Sequence, residues 1–118
     1  MGLRDLKQRT KSFALAIINF VESLPKRRTA EILGRQLLRS GTSVGANYRS
    51  ACRARSAADF IAKMTIVEEE IDESVYWLEL LVESKTIDIE KAQALIKEAN
   101  ELLAITVASI KTARKNRK

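Results

Sequence analysis

At 118 residues and 13.3 kDa the chain suits one compact domain, and a vocabulary rich in Ala, Leu, Glu, Lys, Arg and Ile with a single proline favours helices throughout. The chain contains no histidine, which excludes His-based nucleophile schemes and the Glu-x-x-His di-iron sites common in helical bundles. A net charge of +6 permits binding to phosphate-rich partners, and one cysteine, Cys52, cannot form an internal disulfide, so a reducing cytoplasm is the expected compartment.

From about Leu3 to Leu24, Leu6, Phe13, Ile17, Phe20 and Leu24 recur at helical spacing and predict a first helix with one buried face. Pro25 stops it, Lys26, Arg27 and Arg28 make a polar corner, and Thr29 is the expected N-cap of a second helix with Glu31 in its first turn. That helix runs to about Arg53. Its apolar face is Ala30, Leu33, Leu37, Val44, Tyr48 and Ala51, bordered on one side by Gln36, Ser40, Ser43 and Asn47. On the other border Gly34, Gly41, Gly45 and Cys52 form a narrow stripe of small residues. Each glycine costs a helix roughly 1 kcal/mol against alanine, so the stripe predicts close approach of another helix, with Cys52 as a small packing residue.

Ser56 and Asp59 fit a capping box that opens a third helix from about Ala57 to Glu83. Phe60, Met64, Val67, Ile71, Ser74, Leu78 and Leu81 repeat along it in coiled-coil fashion. Asp88 is the expected N-cap of a fourth helix that buries Ala92, Leu95, Ile96, Ala99, Leu102, Leu103, Thr106 and Ile110. Beyond it residues 111–118 read as a basic, frayed tail. The expectation is all-α: a single antiparallel up-down-up-down four-helix bundle over residues 1–118. No uncharged apolar run approaches the ~20 residues of a membrane span, and neither a signal peptide nor a membrane segment is expected.

Charge is segregated along the chain. Lys26 to Arg55 holds eight basic residues and one acid, whereas Asp59 to Glu90 holds ten acids and two bases. Arg28, Arg35, Arg39, Arg49 and Arg53 fall within about 80° around the second helix and form a stripe. Guanidinium groups bind phosphates bidentately and equally pair with carboxylates across protein interfaces, so both uses stay open. Lys111, Arg114 and Lys115 extend the basic surface, either as non-specific phosphate contacts or as a solubilising tail. On the third helix Asp59, Ile66, Glu70, Glu73 and Trp77 lie away from the apolar seam and suggest a surface for self-association, with a head-to-tail ring as one geometry; the alternative is that Trp77 caps its own bundle. Glu68, Glu69, Glu70, Asp72 and Glu73 encircle the same helix instead of converging, so no metal or other cofactor is expected, and Gly41 to Gly45 lacks the lysine and hydroxyl spacing of a P-loop. Nothing in the pattern indicates an enzyme.

Three runs of residues carry a resemblance: Leu38-Arg39-Ser40-Gly41-Thr42-Ser43-Val44-Gly45-Ala46-Asn47-Tyr48-Arg49, then Ala54 to Met64, then Tyr76 to Ser84. Together they resemble the bacterial four-helix-bundle proteins encoded in intervening sequences of large-subunit ribosomal RNA genes. The resemblance implies a cytosolic homo-oligomer, a pentameric ring, related in fold to accessory proteins that assist reverse transcriptases of diversity-generating retroelements by binding nucleic acid and the polymerase; it implies no enzymatic activity. The chain departs from the family pattern at Ser50, where Glu is usual, and at Glu68-Glu69-Glu70, where Leu-Lys-Glu is usual. The resulting expectation is a non-catalytic oligomer that binds RNA or other nucleic acid through its arginine surface, with a protein-protein adaptor as the alternative.

Overall fold

The computed structural model describes the backbone of residues 3–117 and the side chains of residues 6–117. Met1, Gly2 and Lys118, and the side chains of Leu3, Arg4 and Asp5, lie outside the described residues, so the part of the expected first helix and basic tail that falls on them does too.

Four helices follow one another: α1 (Leu3–Glu22), α2 (Arg28–Cys52), α3 (Ala57–Glu83) and α4 (Ile89–Asn116). Each packs on its sequence neighbour, and α4 closes back on α1. The bundle measures 51 × 20 × 20 Å. Short corners force the helices to alternate in direction, as expected for up-down-up-down connectivity. One end of the bundle therefore gathers the start of α1, the end of α2, the start of α3 and the end of α4.

The core is the set of predicted faces brought together. Leu6, Phe13, Ile17, Leu37, Val44, Tyr48, Met64, Val67, Ile71, Leu78, Leu81, Ala99 and Leu102 are all buried. Along α3 every third or fourth residue from Met64 to Leu81 turns inward, including Ser74, which is polar and fully buried. Its hydroxyl donates to the Glu70 carbonyl (2.8 Å) and lies 2.8 Å from the hydroxyl of buried Ser40, so the polar border of α2 is hydrogen-bonded where it enters the core.

The glycines place α1 against α2. A β-carbon at Gly41 would come within 2.8 Å of Ile17 Cγ1, and one at Gly45 within 3.3 Å of the Thr10 carbonyl oxygen. Cys52 departs from the expectation of packing. As the last residue of α2 it sits where the bundle end opens to solvent, and it is exposed.

Of the three predicted caps, the one at Thr29 falls elsewhere. Arg27, in extended conformation, is the N-cap of α2, and its carbonyl accepts the Glu31 N–H (2.9 Å); Thr29 lies inside the first turn because the Pro25 corner starts the helix two residues sooner. Asp88 occupies the N-cap of α4 without a side-chain cap bond. The Ser56 cap forms as read, its hydroxyl accepting the Asp59 N–H (3.0 Å), while the Asp59 carboxylate reaches back to the Arg55 N–H (3.1 Å). The fourth helix continues through Asn116, so residues 111–116 of the basic tail are helical.

Candidate nucleic-acid interface

The outer face of α2 carries the arginine stripe. Arg28, Arg35, Arg49 and Arg53 are all exposed, and among the described residues none of them forms a salt bridge. Arg39 behaves otherwise. Its guanidinium spans the α2/α3 seam, donating to Glu70 Oε1 (3.3 Å) and to Glu73 Oε1. One member of the stripe is thus joined to two residues of the acidic surface on α3, within one molecule.

Length separates the rest. At 1.5 Å per residue Arg28 and Arg53 stand about 37 Å apart along α2, near opposite ends of the bundle. Arg49 and Arg53 share their end with Lys111, Arg114 and Lys115 of α4, because α2 and α4 run in the same direction. Lys111, Arg114 and Lys115 are exposed there. Arg28 and Arg35 belong to the other end, where Glu22, Glu31, Glu83, Asp88 and Glu90 dilute the positive field.

The five residues of the α3 surface divide in a similar way. Asp59 serves the helix start, and the Arg55 N–H, then Lys63 Nζ at 3.2 Å, hold its carboxyl below the usual 3.8. Glu70 and Glu73 hold Arg39. Trp77 is half-buried, packed at the edge of the core, and its indole N–H donates to Glu73 Oε1 (3.2 Å). The neighbouring Tyr76 ring meets it edge-on, centroids 5.1 Å apart. Ile66 stays 40% exposed and Tyr76 52% exposed, leaving an apolar margin around the ion pairs.

Other cations also define the surface. Arg9 of α1 grips Glu98 of α4 through Nε (3.0 Å) and Nη2, and reaches Glu101 (3.0 Å), which raises its already high pKa. Nothing in the sequence marks it, since neither partner is near it along the chain. Lys7 and Lys11 lie outside the predicted stripe, although the sequence carries a signal for them: neither Leu6 to Val21 nor Ile32 to Cys52 contains a single Asp or Glu. The two helices that meet at the glycine stripe are therefore acid-free over most of their shared length. Beneath this surface the Tyr48 phenol is raised in pKa, by burial first and by the Cys52 thiol second, and stays neutral in the core.

No helix among the described residues is long and apolar enough to cross a membrane, and among those residues no cluster of three or more His, Cys, Asp or Glu converges as a metal site would.

The chain matches the model of the 23S rRNA-intervening sequence protein family over residues 4–108. It belongs to that family. A solved relative agrees in fold: the crystal structure, at 1.70 Å resolution, of a protein with unknown function from the S23 ribosomal protein family of Bacteroides thetaiotaomicron VPI-5482 superposes with a TM-score of 0.88. The two are 36% identical, with 94% of this chain and 99% of that one covered. No curated protein matches the chain. The matched residues reach into all four helices and include the arginine face of α2 and the Arg39–Glu73 seam.

Proposed function

We propose that this family member is a non-catalytic, cytoplasmic, self-associating bundle that binds RNA or other nucleic acid through the outer face of α2 and the basic end it shares with α4. The observation that carries the reading is the exposure of Arg28, Arg35, Arg49 and Arg53 without carboxylate partners among the described residues, on a helix with no acid after Glu31. Where arginines of a folded chain meet acids, as Arg9 and Arg39 do, the charge is spent internally; where they do not, it is available to an external anion. Phosphodiester backbones are the abundant partner of that chemistry, and a ring of copies, a pentamer by the family resemblance, multiplies weak contacts by avidity.

Self-association is assigned to the α3 margin, where Ile66, Tyr76 and half-buried Trp77 surround the Glu70 and Glu73 carboxylates. The same margin supports a second reading, an adaptor that docks a protein partner such as a polymerase. Fluorescence anisotropy with labelled RNA separates them. Replacing Arg28, Arg35, Arg49 and Arg53 by Gln in a protein that still folds and assembles should abolish binding at low salt. Unchanged RNA affinity in that variant would overturn the nucleic-acid reading and favour the adaptor.

A further inference from the structure

Along the α1/α2 seam an open groove of about 550 Å³ is lined by Lys7, Lys11, Ala14, Thr42, Ala46 and Arg49, among others, with no carboxylate on its walls among the described residues. Its shape has a definite cause. Gly45 lets α2 settle onto the Thr10 carbonyl, and Ala14 and Ala46 are too short to fill the crease above the contact, so the seam stays open while long cations stand on both lips. Lys7 and Lys11 are one turn apart on α1, a like-charge pairing that destabilises a helix unless an anion relieves it. Arg49 faces them from α2. Among the described residues none of the three forms a salt bridge, whereas the cations turned toward the α4 and α3 flanks, Arg9 and Arg39, do.

The groove's donors also restrict what it can hold. The Thr42 hydroxyl donates to the Leu38 carbonyl (2.7 Å) and the Thr10 hydroxyl to the Lys7 carbonyl (3.1 Å), so neither hydrogen is available to a ligand. What remains is two ammonium groups, one guanidinium and the Gln8 amide, which already donates to Ser12 Oγ (3.3 Å). That set recognises charge spaced along a line and has little with which to read base edges.

We infer that this groove is a seat for consecutive phosphodiester groups of a polynucleotide strand, held by Lys7 and Lys11 on one lip and Arg49 on the other, without sequence specificity. The inference rests on the nucleic-acid reading above and extends it to α1, which that reading does not use.

The test uses the full chain and a fluorescein-labelled oligouridylate. Lys7→Gln with Lys11→Gln should weaken binding roughly tenfold and make the slope of log K against log salt shallower by about 1.4, the value for two lost single-strand phosphate contacts. Lys91→Gln with Lys97→Gln, an equal loss of charge on exposed positions of α4, should change neither. Ala46→Leu fills the groove without changing charge and should also weaken binding, its fold checked by circular dichroism. If the Lys7/Lys11 variant falls no further than the α4 control, or Ala46→Leu binds like the parent, the groove assignment is overturned and the α2 arginine reading survives. A parent protein that binds no oligouridylate at low salt overturns both. Amide resonances of Lys7, Lys11 and Arg49 that move with inorganic phosphate yet not with the oligonucleotide would make the groove a small-anion site and overturn the polynucleotide seat.

Discussion

Arg39 and Glu73 join α2 to α3 across the seam, and the carboxylate oxygen that takes the Arg39 guanidinium also accepts the Trp77 indole N–H. Arg39 is 48% exposed and Glu73 35% exposed, so water screens the pair and its contribution to folding is small. Its larger effect is positional: it fixes the Trp77 ring at the margin where Ile66 and Tyr76 are exposed. A double-mutant cycle of Arg39→Ala and Glu73→Ala, followed by urea denaturation, should return a coupling of about 0.2–1 kcal/mol. A coupling of several kcal/mol would mean that the pair is shielded, as it would be if a second copy covered it.

Two glycines of the same helix should respond to alanine in opposite senses. At Gly41 the new methyl meets Ile17 at Cγ1 (2.8 Å), Cγ2 (2.9 Å) and Cβ (3.2 Å), a β-branched side chain fully buried in the core. It has nowhere to move, so overpacking of about 1–3 kcal/mol outweighs the gain of about 1 kcal/mol in helix propensity. At Gly34 the methyl meets only Leu24 Cδ1 closely (2.9 Å), the far end of a flexible, half-buried side chain. Gly41→Ala should therefore lower the unfolding free energy read from thermal melts, and Gly34→Ala should leave it unchanged or raise it by up to about 1 kcal/mol. Equal losses at both sites would show that the whole stripe, not one contact, is held at its closest approach.

The Asp59 carboxyl titrates below its ordinary 3.8 because the folded chain offers it the Arg55 N–H and then Lys63. A carboxyl depressed by folding stabilises the native state at every pH above its unfolded value, and the contribution disappears as pH falls through the lower, folded value. The stability difference between the parent and Asp59→Asn should thus be constant near neutrality and shrink on acidification below about pH 4. A difference that persists undiminished into strong acid would remove the carboxylate from the helix start.

How these features relate to the sequence differs from residue to residue. The faces of all four helices, the Ser56–Asp59 cap and the reason for the glycines were legible because each depends on spacing within one segment. The alternation of buried Met64, Val67, Ile71, Ser74, Leu78 and Leu81 needs no knowledge of a partner helix. The destiny of Arg39 was not legible. On a helical wheel it belongs with Arg28, Arg35, Arg49 and Arg53; only the register of α2 against α3 puts Glu70 and Glu73 within reach of it and none of the others. Register is also what sets Lys7 and Lys11 opposite Arg49, and what sends Arg9 to Glu98, 89 residues away. The Thr29 cap failed for a local reason: residue preference favours threonine, but the corner after Pro25 fixes where the first helical carbonyl falls.

The end of α4 allows structure and binding to be separated in one experiment. Ile110 is the last core residue, 3% exposed, and among the described residues after it only Ala113 is partly buried, so Lys111, Arg114 and Lys115 contribute to the fold mainly through charge. Arg114 and Lys115 lie in the last turn, where cations favour the helix by about 0.3–1 kcal/mol each. Replacing all three by Gln should cost about 1 kcal/mol of stability, and this cost should fade with added salt. If the basic end meets a single-stranded polynucleotide, the same variant should also make the slope of log K against log salt shallower by about 2, for three lost contacts. Stability loss with an unchanged slope would assign these residues to the helix dipole alone, because a group that touches phosphate cannot be removed without releasing fewer counterions on binding.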